Sequence, residues 1–376
     1  MCRLFALTST EPVSPMRAVR ALDVMREGHD GSGVGLFLTG LGGPLGALAD
    51  CPILSGILTS EGERRLNQFM DDKGFTLRHR LSWNLPATPP PGTPRRGLYL
   101  VAAYEPPDRW RALPPAEREL NILRTRLELK HMGLEREDIT VFSFWPDVVM
   151  LKEIGDPLAV GRYLDVDRED LHARQILAQG RQNTNYAINL YACHPFFIQG
   201  ICTMTNGENT AFVPIKDWLT ACGVPGYEGY HSDSEVFTHI LHYAVRRLGL
   251  PLAAYKHVIT PLPDADMRSH PDAAFLEQLK AACRKLIIDG PNCVIGCLPD
   301  RTMFMVQDSK KLRPGVVGGR PGLYAFSSEI CGLDAAIPER DKTRDFQPMH
   351  LDTAIVGPGC EEIEICRQTQ PLPQAR

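Results

Sequence analysis

The sequence predicts an α+β protein in which sheets form layers and helices cover them. Three observations lead there. Strand-like runs stand near both ends of the chain, at 1–60 and 292–330, with helical stretches between them. No segment is long enough to act as a linker between separate domains, and no internal repeat is visible. A chain of 376 residues, 43% hydrophobic and 23% charged, has an ordinary globular composition and can bury a core without a disulfide or metal staple. Length alone allows about two to three domains, but sheet-rich single domains often exceed ~200 residues.

The elements follow in order. CRLFALTS at 2–9 alternates and runs towards Pro12, a strand with its stop. Residues 16–27 carry Val19, Leu22, Val24 and Met25 at helical spacing. GHDGSGVGLFLTG at 28–40 is a Gly-rich turn entering an apolar strand. Its glycines follow a helix and precede a strand, the reverse of a dinucleotide phosphate loop. Residues 60–175 are less regular. LPATPPPGTPRR at 85–96 holds five prolines in twelve residues and reads as an extended surface loop, followed by a strand at 97–104. The stretches 115–134 and 157–177 are charged with a helical period, and 139–155 reads as two strands around a turn at Pro146 and Asp147. Residues 181–213 read as strands with a tight loop at NGEN. The segment 232–249 is a strong helix, with Ser232 or Asp233 as its N-cap and Val236, Ile240, Tyr243 and Ala244 as its apolar stripe. A second helix covers 272–288, and 292–330 is a run of short strands parted by PD, DSKK and GGRPG turns.

Composition excludes several classes. The net charge is −4 and no basic run stands out, against nucleic acid as a partner. No apolar run approaches the ~20 residues of a membrane span. The start, MCRLFALTSTEPVSP, lacks the apolar core of about 7–15 residues that marks a signal peptide, so the expected location is cytoplasmic. The eleven cysteines are odd in number and scattered, with no CxxC pair. They predict no metal site, and those beyond Cys2 are expected to be small core residues.

Cys2 is the residue with most chemistry. Removal of Met1 would leave an N-terminal cysteine carrying both a thiol and an α-amine. A thiol of pKa about 8.5 is mostly protonated at neutral pH, but the amine of the same residue can accept its proton. That activates a nucleophile without a histidine. The plain alternative is a cysteine at position 2 by chance.

Further segments change that balance: RQNTN at 181–185, TNGEN at 205–209 and SDSE at 232–235, together with MCRLFAL at the start and EGHDGSG at 27–33. In this order they resemble the class II glutamine amidotransferases, which are N-terminal nucleophile hydrolases. The similarity is strongest to the amidotransferase part of glutamate synthases, with their Arg-aromatic-Ser-Thr-Asn stretch, Pro-Phe strand leading to Asn-Gly-Glu, and Asp-Ser/Thr-Glu. DSKKLRPGVVG and SSEI resemble that family's strand hairpin and Ser-Glu turn. The resemblance covers most of 1–60 and 140–335. Residues 61–139 then read as an insertion, and the tail after about 340 is unassigned.

The resemblance implies one glutamine amidotransferase domain over 1–376, a four-layer αββα sandwich. It implies Cys2 as nucleophile. Arg181 would hold the α-carboxylate of glutamine, for which guanidinium gives the planar match, and Asp233 would hold the α-ammonium. The Asn206 amide and the Gly207 N–H would form the oxyanion hole. Each residue also has a plain structural reading: Asn-Gly as a turn, Arg181 as a surface cation, Asp233 as a helix cap. Thr205 and Gln182 depart from the family's usual histidine and aromatic, and His29-Asp30-Gly31 reads first as scaffold.

No pyrophosphatase loop, phosphoribosyl motif or sugar-isomerase domain accompanies these motifs, so the chain resembles a glutaminase subunit without its own acceptor site. Ammonia would pass to a separate synthase subunit, and no cofactor is expected on this chain, with FMN and iron–sulfur on that partner. An N-terminal cysteine hydrolase of another amide, or a non-catalytic subunit that keeps the fold, are the competing readings.

Overall fold

The computed structural model describes residues 2–83, 85–183, 188–228, 232–308, 311–349 and 352–373. Met1 therefore lies outside the described residues, as do Thr184 and Asn185 of RQNTN and Ser309 and Lys310 of DSKK. The strands of the first half are β1 (Arg3–Val13), β2 (Val34–Leu41), β3 (Pro52–Leu58), β4 (Thr76–Arg80), β5 (Leu98–Glu105), β6 (Ile139–Pro146), β7 (Val148–Glu153) and β8 (Ala173–Gly180). Those of the second half are β9 (Phe196–Ile198), β10 (Ile201–Gly207), β11 (Asn292–Cys297), β12 (Met303–Gln307), β13 (Val316–Arg320), β14 (Leu323–Ser327), β15 (Thr353–Val356) and β16 (Glu364–Cys366). The expected α+β class, with antiparallel sheets and helices packed on them, is what the structure shows. The chain forms two compact units: Met1–Thr10 with Phe196–Arg376, and Glu11–Pro195.

In the first unit, β1 pairs with β14, which pairs with β13. A second sheet runs β16-β15-β12-β11-β10-β9. Helix Glu235–His242 packs on β9 and β10, and a buried Thr203–Thr238 hydroxyl pair at 2.6 Å joins helix to sheet. Side chains alternate across a strand, so Thr203 and Thr205 share the helix-facing side while Met204 and Asn206 take the other. Residues directly opposite in an antiparallel pair share a face. Asn206 is therefore in line with Cys293 and Gln307 across β10, β11 and β12. Residues before β13 cover that row: a Cβ on Gly315 would fall 2.6 Å from Gln307 Nε2 and 3.1 Å from Cys293 Sγ.

In the second unit, β8, β2 and β7 form an antiparallel sheet, with Val34 opposite both Gly180 and Glu153. Helix Met16–Asp23 packs against β8 and against helix Pro157–Tyr163. A four-stranded sheet, β4-β5-β3-β6, is covered by helices Ser60–Lys73 and Pro115–Arg136. The Ser55 hydroxyl accepts a hydrogen bond from Met150 N at 3.0 Å and ties β3 to β7. The stretch 61–139 thus supplies β4 and β5 to a sheet whose other strands, β3 and β6, flank it.

Three local expectations are corrected. Residues 173–177 belong to strand β8 instead of a helix; almost the whole strand is buried, so its run of apolar residues shows no alternation. β1 does not stop at Pro12 but continues to Val13, and its first seven residues are buried on both faces. Helix Ser60–Lys73, in a stretch that reads as irregular, starts where Thr59 Oγ1 accepts from Gly62 N and ends at Gly74 in the left-handed conformation, φ 82°.

Candidate active site

Cys2 stands immediately before β1, half-buried. The Ser-Ser-Glu turn after β14 grips the residues that follow it. Leu4 N donates to Ser328 Oγ at 2.9 Å, Ser328 N donates back to Leu4 O at 2.9 Å, and Arg3 pairs with Glu329 at 2.7 Å. The SSEI segment is thus the clamp that fixes the chain next to Cys2. None of the eleven cysteines forms a disulfide. Six are buried: Cys193, Cys202, Cys283, Cys293, Cys297 and Cys360. Burial pushes the Cys293 thiol up to about 12, which makes it inert as a nucleophile.

Asn206 and Gly207 end β10. The Asn206 side chain is 2% exposed, and its Nδ2 has no hydrogen-bond partner among the described residues. A buried amide nitrogen left in this way costs about 1–3 kcal/mol, so it is rare unless something else uses it. Gly207 has a structural reason of its own. A Cβ there would lie 2.6 Å from Pro291 O and 3.0 Å from Asn292 Cα. The missing side chain makes room for the chain leading into β11.

The turn beyond β10 is fixed by two acids. Asp289 Oδ1 accepts from Thr210 N at 2.9 Å and from Ala211 N at 3.1 Å. Asp233 Oδ2 accepts from Asn209 N at 2.8 Å. This bond joins TNGEN to SDSE, segments separated by more than twenty residues of sequence. It also overturns the cap reading of Asp233: the N-cap of the following helix is Ser234, with no side-chain bond, and Ser232 Oγ accepts from Ser234 N at 3.2 Å. Burial raises the Asp233 carboxyl above its ordinary value, against the hydrogen bonds from Asn209, Ser234 and Ser232. A cation brought to Asp233 would offset that burial.

Arg181 belongs to the second unit, whereas Cys2, Asn206, Gly207 and Asp233 belong to the first. It is 5% exposed, which excludes the surface-cation reading. Its Nη2 donates to Asn183 Oδ1 at 2.9 Å, while its buried Nη1 has no partner among the described residues. Its backbone is held by the Gly-rich turn. Arg181 N donates to Gly33 O at 2.8 Å, and Arg181 O accepts from Asp30 N at 3.4 Å and Ser32 Oγ at 3.3 Å. So EGHDGSG and RQN, far apart in sequence, form one hydrogen-bonded cluster around the buried Arg181, as the scaffold reading of His29-Asp30-Gly31 expects. Burial pushes the Asp30 carboxyl up, but hydrogen bonds from Ser32 and Asn183 outweigh it and hold the group below its ordinary value.

Sequence reasoning missed Asp289, Asn183 and the role of Asp30, because their partners lie on other segments. It also missed Lys256, which is 1% exposed; burial depresses its ammonium to about 7. No group of three or more His, Cys, Asp or Glu that could hold a metal occurs among the described residues, and no described helix is long and apolar enough to cross a membrane.

No family model matches the chain. A curated relative, an uncharacterized protein of Archaeoglobus fulgidus, is 25% identical over 230 residues, which cover 61% of this chain and 59% of that protein. Among solved structures, the chain is similar to the glutamine phosphoribosylpyrophosphate amidotransferase of B. subtilis complexed with ADP and GMP, at 11% identity and TM-score 0.46. A structure described as the allosteric regulatory enzyme of purine biosynthesis gives 12% identity and TM-score 0.48. Both likenesses cover 97% of this chain and 49% of the other. A glutamine aminotransferase class-II domain protein from Silicibacter pomeroyi gives 14% identity and TM-score 0.35, covering 60% of this chain and 86% of that one. The chain spans 59% of the curated relative and about half of the first two solved structures.

Proposed function

We propose that the chain is the glutaminase component of an amidotransferase, with its ammonia acceptor on another polypeptide. With Met1 removed, the Cys2 thiol gives its proton to the Cys2 α-amine, and Sγ attacks the side-chain amide carbon of glutamine. The tetrahedral oxygen is stabilised by Asn206 Nδ2 and the Gly207 N–H. The intermediate collapses to a γ-glutamyl thioester, and the amide nitrogen leaves as ammonia with the proton taken from the amine. Water then attacks the thioester, releasing glutamate and restoring the thiol. Arg181 and Asp233 recognise the free α-carboxylate and α-ammonium, which separates this reading from hydrolysis of some other amide.

The observation that carries it is the Asn206 amide nitrogen, buried without a partner among the described residues at the end of β10, where the following turn is tied directly to Asp233. A general scaffold has no need of that arrangement, and an oxyanion donor does.

The acceptor component we propose is glutamate synthase-like, using ammonia on 2-oxoglutarate, with FMN and iron–sulfur on that component and none here. An N-methylglutamate synthase is a close variant. For docking, the 61–114 region offers a cleft of about 630 Å³ whose lining includes Arg80, Trp83, Arg95, Leu98 and Tyr99. The test is to titrate the flavin-bearing synthase component into a glutamine-to-glutamate assay, with the parental chain and with loop 85–96 shortened. Stimulated turnover that the shortened loop loses is expected. Turnover indifferent to every synthase component would leave a free-standing amidase, and no hydrolysis even in the complex would leave a non-catalytic subunit.

A further inference from the structure

Asn183 holds the guanidinium of Arg181. Asp30 lies in the turn before β2, and its carboxylate accepts from Ser32 N by Oδ1 at 2.9 Å and from Asn183 N by Oδ2 at 3.1 Å. Asn183 in turn offers its side-chain oxygen to Arg181 Nη2 at 2.9 Å. The result is a short chain of contacts, Asp30 to Asn183 to Arg181, built on backbone that the Gly-rich turn already fixes. Nη2 is engaged by Asn183, and the buried Nη1 has no partner among the described residues.

The choice of residue at 183 matters chemically. The resembled pattern has serine there, whose side chain is one bond shorter and ends in a hydroxyl. Asparagine reaches the guanidinium with a neutral acceptor. An amide oxygen orients the fork but leaves its charge intact, whereas a carboxylate in the same place would be a permanent counter-ion. A free guanidinium edge with undiminished charge is what recognition of a substrate carboxylate requires.

We infer that Asn183, seated on Asp30, is a positioning residue that aims Arg181 Nη1 at the substrate α-carboxylate and so sets selectivity for a free amino acid. This rests on the reading of Arg181 as the carboxylate anchor of a glutaminase. Asn183 acts through Arg181, and its loss weakens binding of the carboxylate without touching the reacting carbon.

The experiment compares Asn183→Ala, Asn183→Asp and Asp30→Asn with the parental chain in the active complex. Two substrates are used: L-glutamine, and 4-aminobutanamide, which is glutamine without its α-carboxylate. Asn183→Ala should raise KM for glutamine by about ten-fold with little change in kcat, as expected when binding common to ground and transition states is lost. Asn183→Asp should raise it by about 100-fold, because its carboxylate occupies the fork that the substrate needs. Asp30→Asn should resemble Asn183→Ala, since an amide nitrogen facing Asn183 N no longer accepts. Kinetics with 4-aminobutanamide should be the same in all four proteins. Equal losses on both substrates would reveal a merely structural role and overturn the inference, as would an Asn183→Asp no worse than Asn183→Ala. Calorimetric titration of the same four proteins with glutamine separates the two readings. Binding with the predicted order but no hydrolysis would refute the glutaminase and keep the positioning role; hydrolysis with no order among the variants would do the reverse.

Discussion

Replacing Asn206 by alanine should separate activity from stability in an unusual way. A buried amide that served the fold would be missed when removed, at about 1–3 kcal/mol for the partner left behind. Asn206 Nδ2 leaves no such partner behind, because none is bonded to it among the described residues. Removing it relieves a buried unsatisfied donor, a gain of about 1–3 kcal/mol, and loses packing of three heavy atoms, a cost of similar size. The net change in unfolding free energy should therefore be within about 1 kcal/mol. Catalysis should behave quite differently. An oxyanion donor acts in the transition state, and its loss costs about 2.7–4 kcal/mol, or 10²–10³ in kcat, with KM nearly constant. The assay is glutamine hydrolysis by the complex alongside urea unfolding of the isolated chain. Parental turnover in Asn206→Ala would refute the oxyanion role. A large loss of stability would show that the amide has a structural partner, and would remove the main support for the proposed function.

Other outcomes follow from the same geometry. Arg181→Lys keeps the charge but loses the planar fork, so KM for glutamine should rise while kcat stays close to parental; a fall in kcat alone would contradict the binding role. Asp233→Asn should raise KM and stabilise the protein near neutral pH. Its folded carboxyl is raised by burial, so the native state holds the proton more tightly than the unfolded state, and parental stability falls as pH rises from the ordinary carboxyl value of 3.8 through the folded value. The advantage of the variant should therefore be absent below that window and full above it; a variant less stable at neutral pH would contradict this. Lys256→Met should be more stable than the parent at and below pH 7. The buried ammonium is depressed to about 7 from 10.5, so the unfolded state binds the extra proton and parental stability rises with pH across that interval. The gain should fade by the upper end of the window, as read by melting temperature against pH.

What the sequence revealed depended on how far each signal reached along the chain. Helix Glu235–His242 and the strand run from β11 to β14 carry their periodicity and turn residues within a few positions and form within the expected ranges, the helix being shorter than 232–249 because a π-helical turn takes over at Tyr243–Arg247. Helix Ser60–Lys73 carried a legible signal too: Thr59 as cap, Leu66 and Met70 one turn apart, Gly74 as stop. Strand β8 was not legible, because full burial erases the alternation that distinguishes a strand. At the candidate site, motif order singled out Arg181 and Asn206, which are buried, and Asp233, which is half-buried. It could not show that Asp233 reaches back to Asn209, or that Asp30 reaches Asn183 N, because those bonds join segments that only the fold brings together. The local reading of Asp233 as a cap was reasonable from its neighbours and was overridden by a distant backbone N–H.

The most direct test of the account is covalent labelling. The purified chain is incubated with an electrophilic glutamine analogue, and intact mass and peptide mapping are read before and after. The account predicts a mass lacking Met1, one adduct per chain located on Cys2, and protection by excess glutamine. Labelling of any other cysteine with Cys2 untouched, or retained Met1 with no adduct, would contradict it.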